Sequence, residues 1–207
     1  DTVTLLVATY SFSQFLFAPV WGRVSDRVGR RPIILLTVFG TMLGYVWLAY
    51  TDSLLMLFLA RAFTGAMAAN MAVVHAFVAD VTAPEDRARG MGRMGAAHGM
   101  GFVAGPAIGG LLAGADPVNP DFQTPFFVAA ALSAAAFVLA LVSVRETVSA
   151  DALKAAAGRT HPNRVAKFVE AIGRPQLGLL FLLMTMMPFV FSGVESPFVM
   201  WSERALG

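Results

Sequence analysis

The chain contains no cysteine. Disulfide scaffolds, thiolate metal sites and thiol catalysis are therefore excluded. Charge is also scarce, at 14% of 207 residues, against about 25% in ordinary soluble domains. The three histidines are scattered and make no zinc-binding pattern. Neither a GxSxG elbow nor a phosphate-cradling Gly-x-x-x-x-Gly-Lys loop occurs, so the sequence predicts no enzyme, no cofactor and no metal. What is abundant is apolar surface: 57% of residues are hydrophobic and mean hydropathy is +0.68. A soluble fold of this length cannot bury so much without exposing large apolar patches. The excess must face lipid or another protein, and a disordered chain is excluded by the same composition.

A bilayer-crossing helix needs about 20 apolar residues. Six runs qualify: Val3 to Trp21, Pro32 to Tyr50, Leu54 to Ala79, Met94 to Gly114, Pro125 to Val144 and Leu177 to Trp201. None alternates as a membrane β-strand does. Helices are then the spanning elements that satisfy the backbone. The expected fold class is all-α, a polytopic transmembrane helix bundle.

Apart from Arg61 and Arg204, every Lys and Arg lies in one set of alternate connections: 22–31, 80–93 and 145–176. The opposite connections, Thr51–Ser53 and Ala115–Thr124, hold none and carry Asp52, Asp116 and Asp121. The positive-inside rule puts the three basic connections in the cytoplasm. The expectation is three parts: a helix bundle over 1–144, a cytoplasmic linker over 145–176, and a further span over 177–207. In the linker, Val165, Phe168, Val169 and Ile172 recur at helical spacing opposite Arg164, Lys167, Glu170 and Arg174. That pattern predicts an amphipathic helix lying in the membrane interface. The chain begins at Asp1 and stops at Gly207, each beside a span, which reads as an internal piece of a larger transporter.

The connection 22–31 has a distinctive spacing. Gly22 and Gly29 bracket Asp26 and Arg27, and Arg30 and Arg31 follow. Glycines permit tight turns, and the arginines hold the turn inside. Asp26 adds a carboxylate placed to pair with Arg30 or with a helix N-terminus. Gly22, Asp26, Arg27, Gly29, Arg30 and Arg31 meet every fixed position of Gly-x-x-x-Asp-Arg-x-Gly-Arg-Arg. The segment resembles the signature loop between the second and third helices of the major facilitator superfamily. On that resemblance the six spans are family helices two to seven, and helices one and eight to twelve lie outside the chain.

Arg61 lies inside an apolar span, where a charge is costly (about 3 kcal/mol on insertion scales) and marks function. Small residues Gly65, Ala68, Ala69, Ala72 and Ala76 follow it and favour close helix packing. Arg61 with Gly65 four residues on resembles the superfamily's fourth-helix motif. The resemblance implies proton coupling, with a partner acid on family helix one. His75, fourteen residues on, falls on nearly the same helical face and is a second proton-coupling candidate. Asn70 is a candidate for the substrate cavity or for helix packing. Asp80 closes the span near Arg87 and Arg89, where a gating ion pair is expected.

Gly101, Gly105 and Gly109 recur every four residues, giving a flat helix face. Pro106 should bend the helix, and Gly110 follows. Gly-x-x-x-Gly-Pro-x-x-Gly-Gly resembles the fifth-helix antiporter motif of the superfamily's drug–proton exporters. Arg145-Glu146-Thr147 resembles the acidic end of family helix six. One departure is that Gly44 precedes Tyr45, where tetracycline exporters tend to carry an acid. Gln14 shares a face with Phe17 and Trp21 and is a cavity candidate. Glu195, among Pro188, Gly193 and Pro197, suggests either a broken helix at a site or gate or a solvated acid near the outer interface.

The combined expectation is a secondary transporter that exports small amphipathic molecules in exchange for protons. Its partners are substrate, protons and the bilayer, with no nucleic acid, in a bacterial inner membrane. The alternatives are a proton-coupled sugar or metabolite symporter of the same fold, or a truncated membrane protein that transports nothing.

Overall fold

A computed structural model describes residues 2–114 and 121–148, together with 173, 177–179, 181–183 and 185–186. The described residues are helical, with no strand among them. They form α1 (Thr2–Val28), α2 (Arg30–Ala49), α3 (Leu54–Ala68), α4 (Met71–Val81), a 3-10 turn (Pro84–Asp86), α5 (Arg87–Ala113) and α6 (Gln123–Ser143). Five segments are long and apolar enough to cross a membrane, with Leu54–Val81 counted as one. Positions 177–179, 181–183 and 185–186 are helical too, in a unit of their own that begins at Arg159. The linker stripe at 165–172 and Glu195 lie outside the described residues.

Three expected boundaries need correction. The first helix does not end at Trp21 but runs on to Val28, so Gly22, Asp26 and Arg27 are helical. Arg and Asp side chains project outward without disturbing backbone pairing, and a charged end emerging from lipid can stay helical. The fourth span likewise begins at Arg87, seven residues before Met94. The third span is not one helix; it breaks at Ala69 and Asn70.

In lipid, helices gain little from apolar burial against each other, so close contact depends on small residues. Gly65 puts α3 against the Tyr10 backbone of α1, where any side chain would overlap the carbonyl. Gly40 and Gly44 of α2 receive Met67 and Thr64 of α3 in the same way. Aromatic pairs fasten α2 elsewhere: Trp47 with Phe63 of α3, and Phe39 with Phe137 and Tyr50 with Phe127 of α6. Helix α2 is thus central, touching α1, α3, α4 and α6, whereas α5 meets α4 and α6.

A small apolar core gathers at the arginine-rich end. Ile33, Ile34 and Val73 are buried there, with Trp21, Val24, Val38, Val74, Phe77 and Val144 packed around them. It draws the ends of α1, α2, α4 and α6 together and so positions the polar residues beside it.

The glycine face of α5 differs from expectation. A Cβ placed at Gly101, Gly105, Gly109 or Gly110 would meet nothing within 4 Å among the described residues. The close approaches in this chain are made at Gly40, Gly44 and Gly65 instead. Helix α5 is assigned as continuous through Pro106.

Candidate functional site

The chain leaves α1 at Val28 and enters α2 at Arg30, so Gly29 alone makes the turn, at φ 110°. Only glycine adopts that conformation readily. Gly22, the other expected turn glycine, is inside α1 with nothing near it.

The carboxylate of Glu146 lies over this turn. Its Oε1 accepts from the backbone N–H of Arg30 (3.0 Å), Thr147 (3.0 Å) and Val148 (3.1 Å). Its Oε2 accepts from Arg31 N–H at 3.2 Å. Gly29 has no side chain with which to cap α2, so an acid that follows α6, more than a hundred residues on, caps it instead. Partial burial opposes ionisation of Glu146, but the N–H donors of Val148, Arg30, Arg31 and Thr147 together outweigh it. They hold the carboxyl below the ordinary glutamate value of 4.5.

The sign follows directly. A carboxyl whose folded pKa lies below its unfolded value stabilises the fold fully above about 4.5 and loses that contribution as pH falls through the folded value. Solvent screening at this exposed residue limits the effect to about 1 kcal/mol. Glu146→Gln is expected to lower the apparent Tm in micelles at pH 7, with the difference from the unsubstituted protein shrinking below pH 4.5. Thermal scans at stepped pH check this; a difference that stays constant to pH 3 contradicts it.

Beside this cap, the Arg30 guanidinium ties three helices together. Its Nη1 donates to Asp26 Oδ1 at 2.6 Å and to Ser25 Oγ at 2.8 Å. Its Nε donates to Asp80 Oδ2 at 3.4 Å. Ser25 is fully buried and its hydroxyl donates to the Gly22 carbonyl at 2.9 Å. The hydroxyl of Thr147 donates to Asp80 Oδ2 at 3.2 Å. The chain therefore brings Asp26, Gly29, Arg30 and Asp80 into one polar knot. Arg31 adjoins it, its Nη2 donating to the Leu141 carbonyl at 3.1 Å. The expected partners of Asp80 were Arg87 and Arg89; its partners are Arg30 and Thr147, because α1 and α2 end against α4. Arg89 pairs with Asp86 at 3.4 Å, out in solvent. Ser25, Glu146 and Thr147 were not picked out as site residues, and the acid at 145–147 was the one signal for them.

Arg61 sits two turns into α3. Its Nε is buried and has no hydrogen-bond partner among the described residues. Tyr10 of α1 interacts electrostatically with Arg61 and with Tyr45 of α2. Gly65 lets α3 touch α1 at the Tyr10 backbone, one turn beyond Arg61. An arginine with an unsatisfied buried nitrogen can hold an anion or bias the charge of an acid brought near it.

The remaining candidates are dispersed. His75 is exposed, and its Nδ1 lies 2.9 Å from the Met71 carbonyl. The break at Ala69–Asn70 removes the unbroken register that would place His75 in line with Arg61. Gln14 Nε2 donates to the Ala68 carbonyl at 3.4 Å. Asn70 Nδ2 donates to Thr37 Oγ1 at 2.8 Å. Trp21 donates its indole N–H to the Ala66 carbonyl at 2.7 Å, a helix contact.

The sequence profile of the Major Facilitator Superfamily matches residues 1–206. The chain is 41% identical over 143 residues to the class B tetracycline resistance protein of Escherichia coli, covering 69% of this chain and 34% of that protein. It is 42% identical to the class D protein of Salmonella ordonez, covering 71% and 36%. Against multidrug resistance protein 2 of Bacillus subtilis (strain 168) the identity is 29%, over 100% of this chain and 51% of that protein. Among solved structures, the human organic anion transporter MFSD10 (TETRAN) matches with a TM-score of 0.62 and 31% identity, covering 71% of this chain and 33% of that one. The chain thus spans about a third to a half of the length of these relatives.

Proposed function

Because the chain belongs to the Major Facilitator Superfamily of membrane transporters, we propose that it acts in exporting small amphipathic molecules, drugs or antibiotics, in exchange for protons. Two helix bundles rock about a central cavity, opening it to each side in turn. Similarity to tetracycline and multidrug resistance proteins supports the direction of transport. The observation that carries the coupling is Arg61, an arginine inside a span whose buried Nε has no hydrogen-bond partner among the described residues.

Each candidate then has a role. Arg61 biases the protonation of an acid brought against it, and His75 is the second proton-coupling candidate. Gln14 and Asn70 are the substrate-path candidates among the described residues, and Glu195, outside them, is the third. The knot of Asp26, Gly29, Arg30 and Asp80, with Arg31 beside it and Gly22 and Arg27 on α1, gates the cytoplasmic side. The Gly101–Gly110 face of α5 is the antiporter-motif face in this reading. The site is a bacterial inner membrane. Substrates other than tetracycline are favoured at Gly44: a side chain there would overlap Thr64, so α2 carries no acid beside Tyr45.

The energetics close. One elementary charge crossing about 100 mV releases about 2.3 kcal/mol, and a tenfold gradient costs about 1.4 kcal/mol. One net charge per cycle sustains roughly a fifty-fold gradient of a neutral solute.

The test is export of ethidium and of tetracycline from cells expressing the gene. Export that stops on adding a protonophore supports the proposal. Export that persists, or uptake in place of export, overturns it. A second expectation concerns the gate. Asp26→Asn removes the 2.6 Å charge pair with Arg30, and should slow turnover about tenfold with substrate affinity changed less than about twofold. Transport kinetics beside equilibrium binding separate the two; lost binding with unchanged turnover contradicts the gate.

A further inference from the structure

The turn between α4 and α5 encloses a cavity of about 350 Å³, at the lower end of small-ligand sites. Val81 and Thr82 at the end of α4, Asp86 ahead of α5, and Arg89 and Arg93 in its first two turns line it. Gly90 sets the spacing. A Cβ there would stand 3.2 Å from both the Thr82 hydroxyl and a Val78 methyl, so the bare backbone lets α5 start against α4.

The charges around this cavity are little used. Arg89 and Arg93 are four residues apart and share one face of α5. Arg89 reaches Asp86 at 3.4 Å, with side chains 81% and 54% exposed, and such surface pairs are worth little. Neither Arg93 nor the Thr82 hydroxyl has a hydrogen bond or ion pair among the described residues. Two arginines against one carboxylate leave the lining with one net positive charge. Glu85 and Arg87 lie outside the lining and balance each other.

Position narrows the ligand. The cavity lies at the arginine-rich end of the bundle, since Asp80, bonded to Arg30, immediately precedes Val81. The apolar run of α5 begins at Met94, directly after Arg93. Arg93 therefore stands where the span leaves hydrocarbon, with the exposed Val81 side chain as an apolar wall nearby. Arginines suit phosphate oxygens because their forked donors match them, and basic pockets between span ends hold anionic lipid headgroups.

We propose that this cavity binds the phosphate of an anionic membrane lipid, Arg89 and Arg93 donating to its oxygens and the Thr82 hydroxyl adding a third donor. The singly charged phosphodiester of phosphatidylglycerol matches the net charge of the lining. Phosphatidylcholine would bring an ammonium group against the arginines. The proposal rests on the arginine-rich end lying at the inner membrane surface, and on neither substrate nor proton coupling, so lipid binding and transport fail separately.

Native mass spectrometry of the protein in neutral detergent counts bound lipids one at a time. Phosphatidylglycerol should show one site at least about tenfold tighter than phosphatidylcholine. Arg89→Gln with Arg93→Gln should weaken that site about twentyfold, from about 1 kcal/mol per arginine at 1.4 kcal/mol per tenfold. Arg89→Lys with Arg93→Lys keeps both charges and should retain binding to within about threefold, which a folding defect would not allow. Arg23→Gln with Arg145→Gln removes the same charge from two other exposed arginines of this end and should change binding less than about threefold. Equal affinity for the two lipids, or equal losses in the two glutamine variants, overturns the proposal. Inorganic phosphate is the third probe. Lipid binding that survives a large excess of it supports the membrane source; displacement by it assigns the cavity to a soluble anion and overturns the lipid.

Discussion

Arg61→Ala is expected to abolish the proposed proton-coupled efflux, lowering it at least about 100-fold, while membrane insertion and protein level stay normal. A hundredfold loss is about 2.8 kcal/mol, the scale expected when a desolvated charge stops acting on its partner. Insertion should survive because removing an intramembrane arginine relieves a cost of about 3 kcal/mol, and the α1–α3 contact is made at Gly65 rather than through the guanidinium. Arg61→Lys keeps a charge on a shorter, single-headed donor and should retain part of the coupling. Drug efflux at constant expression, with and without a pH gradient, reads the result. Normal gradient-driven export by the Ala variant removes Arg61 from the coupling role.

Gly29→Val destabilises the bundle by about 3 kcal/mol. A β-branched residue at φ 110° costs roughly 1–2 kcal/mol in backbone strain. Its Cβ would also overlap the Glu146 carboxylate and displace the cap from Arg30 and Arg31, a loss of about 1 kcal/mol or more. The matched control is Gly22→Val, whose Cβ enters open space within α1. It should shift the apparent Tm by no more than about a quarter as much. Both glycines belong to the same sequence motif, so the contrast comes from structure alone. Equal effects at the two positions contradict the assignment of the turn to Gly29.

Much of the fold could be read locally. The apolar runs and the one-sided arginines set the spans and their order, since lipid imposes a strong and simple pattern on sequence. The pairing of Asp26 with Arg30 was also legible, being four residues apart on continuous chain. What could not be read depends on distant partners. Glu146 caps a turn more than a hundred positions earlier, and nothing in the spacing around either residue announces the other. Asp80 has the basic loop's arginines close in sequence, yet binds Arg30, because helix packing brings α2 nearer than the following loop. The break at Ala69–Asn70 carries no proline or glycine to announce it; it arises from donors on α1 and α2. Gly101–Gly110 shows the opposite case, an unmistakable small-residue face with no neighbour among the described residues.

The exchange of protons for substrate is tested most directly in proteoliposomes holding a pH-sensitive dye and an imposed pH gradient. Adding an exported substrate, such as ethidium, should collapse the gradient in step with substrate movement, and Arg61→Ala should leave it standing. Substrate that moves while the internal pH stays fixed would contradict the antiport mechanism.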